Sequence, residues 1–157
     1  MNAAVSSAAA PAAAHPARPA AEPCYCALAR RASRVLTDIY ERELAPHGIT
    51  LPQYSLLRVS SAVGPLTISE FAARLRLDRT TLGRNVKLLE KAGLIALAEN
   101  SADQRERLVT LTAEGTRVLG LAGVAWRAAQ AKVKRGIGKE KLQALQQLVA
   151  EIDALDA

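Results

Sequence analysis

From residue 24 onward, apolar residues recur at helical spacing in most segments and alternate in one short place. In Cys24–Ala45 the stripe is Leu28, Ala32, Val35, Leu36, Ile39, Tyr40 and Leu44, and Pro46 with Gly48 ends it, which predicts a first long helix. Pro52 suits a first helical turn, and a shorter helix follows through Tyr54, Leu56, Leu57 and Val59 until Gly64-Pro65 stops it. Thr67-Ile68-Ser69-Glu70 has the form of a capping box, in which hydroxyl and carboxylate satisfy each other's free backbone donors, with Phe71, Ala72 and Leu75 as the buried face. After the turn Arg76-Leu77, Asp78 is an N-cap for a helix that buries Leu82, Val86 and Leu89 and ends at Gly93. Two short helices joined by a tight turn form a helix-turn-helix candidate.

The period then changes from helical to alternating. Leu94–Ala98 and Arg107–Leu111 place apolar residues at every second position (Ile95 and Leu97; Val109 and Leu111), and the polar loop Glu99–Glu106 joins them as a hairpin. A hairpin directly after the second helix has the place of a wing. Thr112 caps a long Ala- and Gly-rich helix from about Ala113 to Arg135, and Gly136 with Gly138 separates it from a last helix striped by Leu142, Leu145, Val149, Ile152 and Leu155. Residues 2–22 are mostly Ala interspersed with Pro11, Pro16 and Pro19, with Pro23 following. Proline at that density keeps alanines from sustaining a helix, so a disordered tail is expected there.

Composition narrows the classes. A chain of 157 residues holds one compact core. Half of its residues are hydrophobic but 3% are aromatic, which favours close-packed helices. A formal charge of +6 attracts a polyanion such as nucleic acid or an acidic membrane surface. Cys24 and Cys26, one residue apart, are poorly placed for an ordinary disulfide with each other. No apolar run approaches the roughly 20 residues that span a bilayer, and the Ala-rich start lacks both a basic leader and a strongly apolar stretch, so a cytoplasmic protein without a membrane partner is expected. The sequence carries no glycine-rich phosphate loop, paired-histidine metal motif or nucleophile elbow, which argues against an enzyme and implies no cofactor. A metal site from Cys24, Cys26 and a histidine has only His15 and His47 to draw on, one of them in the presumed tail, and no metal is expected.

The candidate chemistry lies on the second short helix. With Leu82, Val86 and Leu89 turned inward, steps of about 100° place Thr80, Arg84, Lys87 and Lys91 outward, with Thr81 and Leu88 flanking. Such a face suits a DNA major groove: hydroxyls near the helix N-terminus for phosphates and bases, and an arginine for a bidentate contact with guanine, here Arg84. Arg79 points nearer the core side, but its long side chain in the first turn reaches a phosphate. Asn85 has a poorer angle. The competing reading is an ordinary solvated helix face. In the loop Asp103-Gln104-Arg105-Glu106-Arg107, Arg105 and Arg107 are placed to enter an adjacent minor groove, with Asp103 orienting Arg105. The competing reading there is a charged hairpin with internal ion pairs.

The stretch Leu66–Ala72, then Asp78–Ile95, resembles the helix-turn-helix of the MarR family. Asp103-Gln104-Arg105 followed by Leu108–Gly115 resembles that family's wing and the start of its next helix. The resemblance covers about residues 24–155. It implies a mainly α fold: a winged helix-turn-helix with long N- and C-terminal dimerisation helices and a two-stranded wing. The expected division is a tail at 1–22, an N-terminal dimerisation helix at 23–50, a DNA-binding lobe at 51–112 and C-terminal dimerisation helices at 113–157. The implied partners are a second copy of the chain, through terminal stripes with nowhere else to be buried, and a pseudopalindromic double-stranded operator with half-sites about one helical turn apart. The implied function is transcriptional regulation, most often repression.

Family members release DNA when a small aromatic acid or another anion binds, or when a cysteine is oxidised. For an effector, Arg30, Arg34, Tyr40 and His47 lie on or just after the first helix, where a guanidinium pairs with a carboxylate and Tyr40 stacks or hydrogen-bonds; the alternative is that these arginines are solvated or bound to acidic neighbours. For redox control, Cys26 and Tyr40 fall where the organic-hydroperoxide-sensing branch carries its reactive cysteine and a partner tyrosine, and Cys26 opens a helix whose dipole lowers a thiol pKa. Arg30 stands where that branch has a second tyrosine. A winged-helix module for protein contacts is a further alternative.

Overall fold

The computed structural model describes residues 22–101 and 103–155, so nearly all of the expected N-terminal tail, His15 included, lies outside the described residues. Ten elements follow in order: α1 (Tyr25–Leu44), a 3-10 turn (Ala45–His47), α2 (Leu51–Val63), β1 (Leu66–Thr67), α3 (Ile68–Leu75), α4 (Arg79–Lys91), β2 (Ile95–Glu99), β3 (Arg107–Leu111), α5 (Ala113–Ile137) and α6 (Lys139–Leu155).

The boundaries follow from the caps. Thr67 Oγ1 accepts from the Glu70 N–H at 3.2 Å and Glu70 Oε2 accepts from the Thr67 N–H at 2.7 Å, closing the expected box at the start of α3. Asp78 Oδ1 accepts from the Thr81 N–H at 2.8 Å and opens α4. A second box, which the sequence reading passed over, opens α2: Thr50 Oγ1 accepts from the Gln53 N–H and Gln53 Oε1 accepts from the Thr50 N–H. Helix α5 runs through Gly136 and ends at Gly138, whose φ of 89° breaks the helical repeat.

The sheet has three strands in the order β1-β3-β2, all antiparallel, with Leu66 opposite Val109 and Ile95 opposite Leu111. The expected hairpin is therefore backed by a third strand. Only two residues long, β1 shows no alternation from which to read it.

These elements close around one core. Leu44, Leu56, Leu57, Phe71, Leu82, Leu89, Val86 and Val109 are fully buried, each contributing about 1.5–3 kcal/mol by leaving water. Helix α5 enters this lobe at close quarters. Thr112 donates its hydroxyl hydrogen to the Gly93 carbonyl at 2.7 Å and accepts from the Gly115 N–H at 2.9 Å. A Cβ on Gly115 would stand 1.9 Å from the Leu94 carbonyl oxygen, so glycine alone fits where α5 crosses the end of α4.

The terminal helices differ. No residue of α6 is buried, and Leu148, Val149 and Ile152 are each about half exposed. Tyr25 and Leu28 of α1 are likewise open, and a groove of about 780 Å³ separates the two helices, lined almost wholly by apolar side chains. No helix of the described residues is long and apolar enough to cross a membrane.

Candidate nucleic-acid interface

Leu82, Val86 and Leu89 are buried as their spacing requires, so α4 presents its other side to solvent. Arg79, Thr80, Gly83, Arg84, Lys87, Leu88 and Lys91 line one shallow cavity of about 490 Å³ along that side. The structure thus brings Arg79, Thr80, Arg84 and Lys87 together, joins Lys91 to them and places Gly83 among them. Thr81 stands apart at the flank. It is exposed, and its backbone carbonyl accepts from the Asn85 side-chain amide at 3.0 Å, which turns Asn85 back onto the helix.

The capping carboxylates are charged throughout the physiological range. Hydrogen bonds from Thr81 hold the Asp78 carboxyl below the usual carboxylate range, and those from Thr67 do the same for Glu70. Both favour helix N-termini, where the dipole is positive.

A second cleft, of about 280 Å³, lies between the start of α3, the start of α4 and the wing. Its lining is Thr67, Ile68, Ser69, Arg79, Arg105, Arg107 and one carboxylate, Glu106. Arg79 belongs to both clefts, and its guanidinium donates a hydrogen bond to Ser69 Oγ. In the wing loop Asp103 Oδ1 accepts from the Arg105 backbone N–H at 2.9 Å, so Asp103 shapes the turn that carries Arg105 and does not hold its guanidinium.

Arg107 stands where the wing loop meets the second strand and lines the same cleft as Arg105. It is the first residue of β3, directly opposite Glu99, and donates to Glu99 Oε1 at 3.3 Å. The second strand keeps its expected bounds while β2 runs one residue past Ala98 to Glu99, and the register makes the pair. Arg107 is thus ion-paired to Glu99 at the surface of the hairpin, and Arg105 is the arginine within the loop itself.

The expected effector residues are not gathered at one cavity. Tyr40 lines the apolar groove with Tyr25, Leu28, Ala32 and Leu36, whereas Arg30, Arg34 and His47 do not. Arg30 and Arg34 each stand two residues from Ala32, about 200° round the helix, and so turn away from the groove side of α1. The Arg30 guanidinium instead donates to Cys26 Sγ at 3.2 Å, and both cysteines are exposed free thiols.

Sequence reasoning missed an aromatic cluster where α1, α2 and α5 meet. Tyr54 stacks on Trp126 with centroids 5.9 Å apart, Tyr40 meets the same ring at 6.4 Å, and the Arg58 guanidinium lies 5.3 Å above it. Burial raises the pKa of both tyrosine hydroxyls. The scarcity of aromatics in the chain was the available signal. Among the described residues, no cluster of three or more His, Cys, Asp or Glu side chains is placed to hold a metal.

Residues 47–106 match the model of the MarR family. The chain is 31% identical over 103 residues to the HTH-type transcriptional repressor Mb2911 of Mycobacterium bovis, a match that covers 66% of this chain and 74% of that repressor. The chain belongs to the MarR family. Within that family it is 34% identical over 90 residues to the organic hydroperoxide resistance transcriptional regulator of Bacillus subtilis, covering 57% of this chain and 61% of the relative, and so spans less than two thirds of that protein's length. Its fold matches the crystal structure of the Mycobacterium tuberculosis regulator MosR in complex with DNA at a TM-score of 0.74 and 35% identity, over 86% of this chain and all of that one. The PcaV regulator of Streptomyces coelicolor, solved with its natural ligand, matches at 0.75 and 25% over 96% and 99%. The mainly helical winged-helix fold is the one the sequence predicts.

Proposed function

We propose that this MarR-family chain is a sequence-specific DNA-binding transcriptional regulator that acts as a homodimer and represses until an effector releases it. One observation carries the reading: α4 lays Arg79, Thr80, Arg84, Lys87 and Lys91 along a single open face beside the wing loop that bears Arg105. In a major groove, Arg84 presents paired N–H donors to a guanine edge, while Lys87 and Lys91 neutralise phosphates. Arg105 enters the neighbouring minor groove, where a narrow, A·T-rich segment concentrates negative potential. The residues from 51 to 112 act as the DNA-binding lobe. The helices on either side pair with a second copy through the apolar faces of α1 and α6, and a two-fold axis then spaces two recognition helices for a pseudopalindrome. A protein-contact module has no need of this arrangement of cations, and Arg84→Ala separates the two readings.

Arg84→Ala weakens binding to a duplex selected by the wild-type protein by about 1–3 kcal/mol and relaxes its sequence preference. Lys87→Ala lowers the salt dependence by about one ion per site and leaves the preference intact. Equal affinity of wild type and both variants in gel-shift titration overturns the placement of the recognition face.

For release, Tyr40, which lines the apolar groove along α1, offers a small aromatic acid a ring to stack on and a hydroxyl to bond. A second reading is favoured by Cys26, an exposed free thiol that accepts a hydrogen bond from the Arg30 guanidinium. An organic hydroperoxide would then oxidise Cys26 to a sulfenic acid and be reduced to the alcohol. Titrating the DNA complex with each compound, in wild type and in Cys26→Ser, distinguishes the two.

A further inference from the structure

Arg79 is the first residue of α4, and from sequence geometry its side chain leaves the helix near the core side. In the structure its guanidinium is tied to Ser69 Oγ, on the second residue of α3. Ser69 is half-buried, whereas Arg79 is exposed. The tie turns Arg79 from the axis of α4 toward the cleft between α3 and the wing, opposite Arg105. A serine oxygen that accepts one guanidinium N–H leaves the arginine its other N–H donors for a further acceptor. The positive end of the α3 dipole lies at the same place.

We propose that Ser69 is the positioning residue for Arg79, and that Arg79 so held clamps one backbone phosphate at the cleft between the recognition helix and the wing. This rests on the DNA-binding reading above. A phosphate held here ties two contacts of different kinds, major groove through α4 and minor groove through the loop, to one register on the duplex. Ser69 acts through Arg79, whose planar fork an alanine at 69 would leave free to swing.

The test is a double-mutant cycle on the full chain, with a duplex that the wild-type protein has selected from a random library as probe. Ser69→Ala lowers affinity about 3- to 10-fold, the worth of one positioning hydrogen bond. Arg79→Ala lowers it further and reduces the salt slope by about one ion per site. In the Arg79→Ala background, Ser69→Ala has no additional effect. Ser69→Thr, which keeps the hydroxyl, restores what Ser69→Ala loses, and thermal melting shows each variant folded. An equal loss from Ser69→Ala with and without Arg79 overturns the proposal, because Ser69 would then touch DNA itself. No loss from Ser69→Ala also overturns it. If the wild-type chain selects no duplex, the DNA-binding reading fails and takes the clamp with it, an outcome distinct from the other two.

Discussion

Helix α5 joins two regions that differ in how far they satisfy themselves. At its N-terminal end the lobe from α2 to β3 encloses Phe71, Leu82, Leu89 and Val109 completely and turns outward a face of arginine, lysine and threonine. Beyond its C-terminal end α6 buries no residue, and Leu148, Val149 and Ile152 stand half exposed along a groove with α1. A closed core with a charged face is suited to a polyanion that dissociates. An open apolar stripe is suited to a partner that stays, since the stripe in water loses the burial that leucine and isoleucine supply elsewhere. On the proposed reading, the charged face of the lobe serves DNA and the open stripe serves a second copy.

Breaking the closed region has the largest effect. Phe71→Ala empties a fully buried site and costs about 3–5 kcal/mol in urea unfolding. In the open region the same chemistry acts on assembly instead. Leu148→Glu with Ile152→Glu yields a monomer in sedimentation velocity, leaves the fold of the lobe in place and lowers operator affinity about a hundredfold, because two linked half-site contacts become separate events. Arg84→Ala, at about 1–3 kcal/mol in DNA binding, touches neither core nor stripe and leaves stability unchanged.

Smaller effects sharpen the contrast. Gly83 sits within α4 on the side that carries Arg84 and Lys87, with open space around its missing Cβ. Gly83→Ala raises thermal stability by about 0.5–1 kcal/mol through helix propensity. The least effect is electrostatic. The Asp78 carboxyl, held low by Thr81, stabilises α4 fully above the ordinary carboxylate pKa, and that contribution fades as pH falls through its depressed folded value. The melting temperature of Asp78→Ala therefore lies below wild type at about pH 7 and converges on it toward about pH 3.

Much of this was readable in the chain because local chemistry decided it. Thr67 with Glu70, Asp78 and Thr112 cap helices through partners three residues away, so spacing alone announces them. The outward face of α4 follows from three inward aliphatics. What stayed hidden depended on contacts distant in sequence. The strand Leu66–Thr67 exists because Val109 and Leu108 lie opposite it. The pairing of Arg107 with Glu99 depends on the hairpin register, and the bond of Arg79 to Ser69 depends on how α3 and α4 cross. The effector residues were placed by proximity along α1, and the helix turns the two arginines away from the side that Tyr40 occupies. Trp126 carries no pattern of its own and gains meaning only when α5 brings it against Tyr54.

The most direct measurement is a salt titration of wild-type affinity for two duplexes, one selected by the protein from a random library and one with the same bases scrambled. A pseudopalindrome with half-sites about one helical turn apart, bound about a thousandfold or more tightly than its scrambled control at moderate salt, is the predicted result. Equal affinity for both duplexes at every salt concentration would contradict sequence reading by α4.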